Sequence, residues 1–152
     1  MVQQLSIKGR YKLNITFTNM FVNHTVSFSH DNLVTSEGLS FFAGKWANED
    51  NEITKIIVGK NSKPPSMTDK IKTFTKPFKF DVSLDVMDNK LTLTQTNLKG
   101  KKLNGTFEIG VIGLRNGVNE VLLSRSTHPI INIPPTCILS LEYTFTLESS
   151  LE

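Results

Sequence analysis

The sequence predicts an all-β protein: a single-domain antiparallel β-sandwich or roll with short turns and little helix. Three observations predict this class. Apolar and polar residues alternate along most of the chain, which is the period of a strand with one buried face. Turn-forming residues separate these runs at short intervals. No segment of useful length shows the helical period.

The first half of the chain predicts three strands and one aromatic segment. Leu13–Thr18 alternates strictly, and Val22–Phe28 follows as a second strand rich in serine and threonine. Ile53–Val58 reads as a short, largely buried strand that ends at a glycine. Between them lies Gly38–Trp46, an apolar segment bracketed by glycines. We expect its aromatic residues to anchor the core.

A loop is predicted to follow the third strand. Lys60–Asp69 contains two prolines and several turn-forming residues, and proline cannot donate a hydrogen bond to a strand ladder. Asp69 is expected to cap a brief helical turn over Lys70–Phe74, since aspartate is a preferred N-cap residue.

The clearest β-hairpin lies in the second half. Phe78–Val86 alternates without interruption, Met87–Lys90 forms the predicted turn, and the returning strand begins at Leu91. Aspartate and asparagine tolerate the positive φ angles that a tight turn requires.

The remaining chain predicts a second hairpin and a closing strand. Leu103–Ile112 contains glycines that predict a bulge or a close backbone approach, and an Asn116-Gly117 turn leads into Val118–Ser124. Pro129–Pro135 is predicted to be a linking loop, and Ile138–Leu147 an alternating final strand.

Length and composition indicate one domain over residues 1–152, with residues 1–30 alternatively an N-terminal arm that packs on a neighbouring subunit. Cys137 is the single cysteine, so no intrachain disulfide can form. We expect no membrane partner, because no apolar stretch approaches 18 residues. The net charge of +3 favours a solvated surface over a nucleic-acid footprint, so no nucleic-acid partner is expected.

Motifs for catalysis, cofactors or metals are not evident, and we expect a protein that is not an enzyme and needs no cofactor. The carboxylate pair Asp81 and Asp85 lies on the polar face of the predicted hairpin, whereas an acid catalyst requires an apolar pocket. The histidines lack the spacing of metal ligands.

Aromatic residues offer a weaker hypothesis, a platform on which sugar rings could stack. The candidates for glycan contact are Tyr11, Phe21, Trp46 and Tyr143. Burial in the core is the simpler expectation for a tryptophan beside two phenylalanines.

Several segments, in order, resemble phage proteins. The first is Ile56–Asp69, a short apolar strand followed by glycine, prolines and Ser-Met-Thr-Asp. Asn104–Ile112 contains Glu-Ile-Gly, Val121–Arg125 ends in Ser-Arg, and Ile138–Leu147 closes the set. Together, residues 53–148 resemble the tail-fibre and baseplate-associated virion proteins of bacteriophages.

This resemblance implies a structural protein of the virion, made in the host cytoplasm and assembled in the tail, collar or fibre-attachment apparatus. Its partners would be other copies of itself and neighbouring virion proteins. Two alternatives stay open: a receptor-binding module for bacterial surface glycans, and a capsid decoration or head-fibre protein.

The same segments contain a hypothetical ion pair. If Leu103–Ile112 and Val118–Arg125 pair across the Asn-Gly turn, Glu108 and Arg125 approach each other. We expect a bidentate, partly buried pair that fixes strand register more than it adds stability.

Overall fold

The fold is that of a computed structural model, which describes residues 3–18, 23–99, 105–131 and 138–151. Most of these residues lie in strands. The elements are β1 (Gln3–Thr18), β2 (Asn23–Val34), α1 (Ser36–Trp46), β3 (Glu52–Gly59), a 3₁₀ turn (Ile71–Thr73), β4 (Phe78–Asp81), β5 (Ser83–Met87), β6 (Lys90–Lys99), β7 (Gly105–Arg115), β8 (Asn119–Ile131) and β9 (Ile138–Leu151).

The strands form two antiparallel sheets that pack as a sandwich, which confirms the predicted fold class. One sheet has five strands in the order β2-β1-β9-β6-β5, and the other has four in the order β4-β3-β7-β8. The end of β2 joins them, because Leu33 and Val34 pair with Arg125 and Ser124 of β8. β4 and β5 are the edge strands at the other side of the two sheets, and Val82 connects them in the chain.

The described residues among the first thirty, 3–18 and 23–30, belong to strands of the five-stranded sheet. β1 pairs with β9 from Gln3 to Thr16 and with β2 from Gly9 to Thr18. From Gly9 to Thr16, β1 therefore has a strand of the same chain on each side, so it does not form a detached arm.

The main core fills the space between the sheets. Ile56, Ile109 and Val111 face it from the four-stranded sheet, while Leu93 and Tyr143 face it from the five-stranded sheet. Apolar side chains from both layers thus meet in one cluster, as expected of a β-sandwich.

Helix α1 was not predicted and corrects the sequence-based expectation for Gly38–Trp46. Thr35 caps it by accepting a hydrogen bond from the Gly38 amide, and Phe41 is fully buried in the core. Gly38 argued against a helix in the sequence, because glycine has a low helix propensity. The fold requires glycine there, since a Cβ would lie 2.1 Å from the Leu123 carbonyl oxygen on β8.

The predicted hairpins form, with changes at their ends. β5 and β6 pair across a turn in which Asp88 has a positive φ of 54°. The alternating run of Phe78–Val86 is split at Val82, since β4 pairs with β3 in the other sheet. Pro129 lies in β8, which continues to Ile131, and not in the linking loop predicted at Pro129–Pro135; the rest of that predicted loop lies outside the described part of the chain.

The hairpin of β7 and β8 confirms the pairing on which the ion-pair hypothesis depended. Asn116 and Gly117 both have positive φ angles in the connecting turn. The strand register shifts between Val111 and Ile112, as the glycine-rich sequence predicted for a bulge. Gly110 allows the predicted close approach, because a Cβ there would lie 2.4 Å from the Ser124 carbonyl oxygen.

Residues 60–77 cover the outer face of the four-stranded sheet. Phe74 packs there against Ile57, Ile112 and Leu122, with Ile71 beside them. The brief helical turn is present as the 3₁₀ turn, but its N-cap residue is Lys70 rather than Asp69. Asp69 is instead turned toward the sheet, where it contacts Arg125.

Candidate functional site

Among the strand side chains that the structure describes, the most exposed apolar ones lie on β5, at the free edge of the five-stranded sheet. Among the described strands, β5 pairs only with β6. Three of its five residues are large and apolar, and their exposed fractions are 48% for Leu84, 72% for Val86 and 67% for Met87. An edge of this kind is usually protected by charge, proline or a covering segment.

Two of these side chains point toward the interior side of their sheet. Leu84 lies opposite the buried Leu93, and Val86 lies opposite Leu91, which packs against the core. Opposite residues in an antiparallel pair point to the same face. Leu84 and Val86 thus extend the core face of the sheet beyond the part that the other sheet covers.

A pocket of about 370 Å³ opens beside β5, between the end of the five-stranded sheet and α1. Its apolar wall comprises Ile7, Phe42, Val86, Leu91 and Phe145. The rings of Phe42 and Phe145 meet edge-on with centroids 5.2 Å apart. Lys45, Asp88, Asn89 and Lys90 supply the polar part of its lining. An apolar wall with a mixed-charge rim is suited to receiving an apolar side chain from a partner.

A second feature is a buried polar network at Arg125. The Arg125 Nε donates to Glu108 Oε1 at 2.9 Å, and the two side chains are 1% and 0% exposed. Nη1 donates to Asp69 Oδ2 at 3.0 Å. Nη2 donates to the carbonyl oxygens of Asn61 and Lys63, at 3.1 and 3.0 Å. The guanidinium therefore holds the loop after β3 to the outer face of the four-stranded sheet.

Glu108 completes this network from the other side. Its Oε2 accepts hydrogen bonds from the backbone amides of Asn61 and Thr75, at 2.6 and 3.0 Å. The predicted ion pair is present, but it is fully buried and joined through one contact rather than bidentate. The expectation of a two-point contact fails because the other guanidinium nitrogens bind Asp69 and loop carbonyls.

Asp69 and the loop carbonyls are members of this network that sequence reasoning missed. Asp69 also accepts a hydrogen bond from the Ser66 amide, and this turn places its carboxylate toward Arg125. The one available signal was the Ser-x-x-Asp spacing in a proline-rich loop, which indicates a local turn but gives no distant partner.

Of the four aromatic glycan candidates, Tyr143 is the one whose side chain lies in the described part of the structure. Tyr143 is fully buried, and its hydroxyl pairs with the Ser124 hydroxyl across the core, so it is corrected to a core residue. Tyr11 lies on β1 and Trp46 ends α1, whereas Phe21 is outside the described residues.

Other kinds of site were sought in the described part of the chain. Within it, no group of three or more histidine, cysteine, aspartate or glutamate residues comes together as a metal site would require. None of its helices is long and apolar enough to cross a bilayer. Comparisons with protein-family models, curated proteins and solved structures found no match to this chain.

Proposed function

We propose that this chain is a non-enzymatic structural subunit of a bacteriophage virion, located in the tail, collar or fibre-attachment apparatus, and that it joins other copies of itself through β5. The observation that carries the assembly part is the free β5 edge, with its exposed apolar side chains beside an apolar pocket. The virion part is supported by the resemblance of residues 53–148 to phage tail-fibre and baseplate-associated proteins.

The chemistry of the edge selects an extended strand as its partner. The outer edge of β5 presents backbone amide and carbonyl groups that a strand can pair, and its apolar side chains add burial. An added strand would pair these backbone groups and cover the apolar side chains at the same time. A neighbouring side chain that enters the pocket would pack on Phe42 and Phe145.

A second copy of this chain is the occupant that the charges favour. The pocket lining contains both signs, with Lys45 and Lys90 near Asp88. A two-fold axis brings a patch against itself, so a patch of one sign would repel its copy. The mixed signs of this patch permit opposite charges to face each other.

Light scattering after size exclusion tests the assembly part. We expect the wild-type chain to form a discrete oligomer and Val86→Lys to shift it to the monomer, because a charged edge residue opposes strand pairing. The matched control is Val118→Lys, since Val118 is 77% exposed and lies in the turn between β7 and β8, outside β5 and outside the pocket lining. A monomeric wild-type chain, or an oligomer that Val86→Lys leaves intact, would contradict assembly through β5.

Mass spectrometry of purified phage particles tests the virion part separately. We expect the chain to co-purify with intact particles produced by the genome that encodes it. Its absence from particles, while it is abundant in the lysate, would overturn the virion assignment without touching the assembly result.

A further inference from the structure

The positive charge of this protein is concentrated in one short segment. Residues 60–79 contain six lysines and a single acidic residue, Asp69. The whole chain has 17 basic and 14 acidic residues, so the rest of it holds 11 basic and 13 acidic residues. The basic pI of about 9.0 therefore depends on this segment alone.

The fold spreads this segment over one outer face of the sandwich. Phe74 and Ile71 attach it to the four-stranded sheet, and Arg125 attaches its first half through carbonyl oxygens. Lys79 on β4 lies opposite Ile57, whose side chain faces the same outer cluster. We call the surface formed by residues 60–79 the lysine face.

Its single acidic side chain, that of Asp69, is turned inward, while five of its six lysines are exposed. The Asp69 side chain is 11% exposed and bound to Arg125, and Glu108 beneath it is fully buried. Lys63, Lys72 and Lys76 are exposed and form no ion pair with a described residue. Lys70 and Lys79 are paired with Glu37 and Glu120 at the margins, and partial burial lowers the pKa of Lys60.

We propose that the lysine face binds an acidic polysaccharide, whose carboxylate or phosphate groups its exposed lysines would contact. The buried network reduces the conformational entropy lost on binding, because the backbone that carries Lys63 is already fixed by hydrogen bonds to Arg125. The mode differs from sugar stacking, since it depends on charge and needs no exposed aromatic ring.

The same features disfavour nucleic acid as the ligand. Within residues 60–79 the aromatic residues are Phe74, which is buried, and Phe78, which is 41% exposed, so this face has no row of exposed rings on which successive bases could stack. Residues 60–79 contain no arginine, the usual bidentate reader of guanine, and no helix longer than the three-residue 3₁₀ turn.

Binding of the full chain to polygalacturonate, measured by biolayer interferometry over a series of salt concentrations, tests this proposal. We expect binding that weakens as salt rises, and no binding to neutral dextran. Lys63→Glu/Lys72→Glu should weaken it by at least roughly tenfold, given the contribution of each lysine near an anionic surface.

The control variant is Lys8→Glu/Lys12→Glu, which changes the net charge equally. Both lysines are exposed on β1, and their register beside β9 places them on the opposite outer face. An equal loss in both variants would attribute binding to net charge and overturn the proposal. Failure to bind polygalacturonate would also overturn it, as would tighter binding of a DNA duplex at the same salt. Because Lys63 and Lys72 lie in the segment before β4 and outside β5, light scattering of the same variants reports on assembly independently.

Discussion

The Arg125 guanidinium is held by polar contacts on several sides. Its guanidinium contacts two carboxylates and the carbonyl oxygens of Asn61, Lys63 and Pro64, and its Cζ atom lies 5.9 Å from the centre of the Phe74 ring. A network of this kind contributes little when it is complete, but the removal of one member leaves buried charges unpaired.

Replacement of Arg125 is therefore expected to be strongly destabilising. Arg125→Met would leave Glu108 as an uncompensated carboxylate in the interior, and we expect the free energy of unfolding to fall by about 3–5 kcal/mol. Urea titration followed by circular dichroism measures this change. Arg115→Met is the control, because Arg115 is 35% exposed and 3.6 Å from Glu49; it should cost less than about 1 kcal/mol. An unchanged midpoint for Arg125→Met would refute the structural role assigned to this network.

Part of this network was predictable from the sequence, and the reason is chain distance. Glu108 and Arg125 are 17 residues apart on strands joined by an Asn-Gly turn, so local register brings them together. Asp69 is 56 residues from Arg125, and its position depends on how the loop after β3 folds back over the sheet. Alternation and turn residues contain no information about that closure.

At the scale of elements, Thr35 connects α1 to β8. Its hydroxyl accepts from the Gly38 amide and donates to the Leu122 carbonyl oxygen, while its amide donates to the Leu123 carbonyl oxygen. These carbonyls lie where the register between β7 and β8 shifts, so the helix cap and the bulge satisfy each other. The strands could be predicted from alternation, but this helix depends on contacts with β8 that outweigh its poor local propensity.

We expect Thr35→Val to lower the free energy of unfolding by about 1–2 kcal/mol, because valine has the same shape but neither donates nor accepts. Thr35→Ser retains the hydroxyl and should cost much less. Thermal unfolding followed by circular dichroism compares the two variants. Equal losses for serine and valine would show that the methyl group, rather than the cap, determines stability at this position.

For the whole molecule, the two sheets are joined through shared contacts. The Tyr143 hydroxyl on β9 pairs with the Ser124 hydroxyl on β8, and β2 pairs with strands of both sheets. One core cluster contains residues of both layers. Neither sheet can bury its apolar face without the other, and an isolated sheet would leave that face in water.

From this arrangement we expect the two sheets to unfold as a single cooperative unit. Leu93→Ala in the five-stranded sheet and Ile109→Ala in the four-stranded sheet each remove a fully buried side chain, so each should cost about 2–5 kcal/mol. Because both side chains line the same core, each substitution should lower the urea midpoint of one unfolding transition that both sheets share. Trp46 fluorescence and far-ultraviolet circular dichroism, recorded during urea unfolding, should give coincident midpoints with an unchanged denaturant slope. Two separated transitions, with each substitution displacing only one of them, would instead mean that the sheets unfold as independent units and that the common core couples them only weakly.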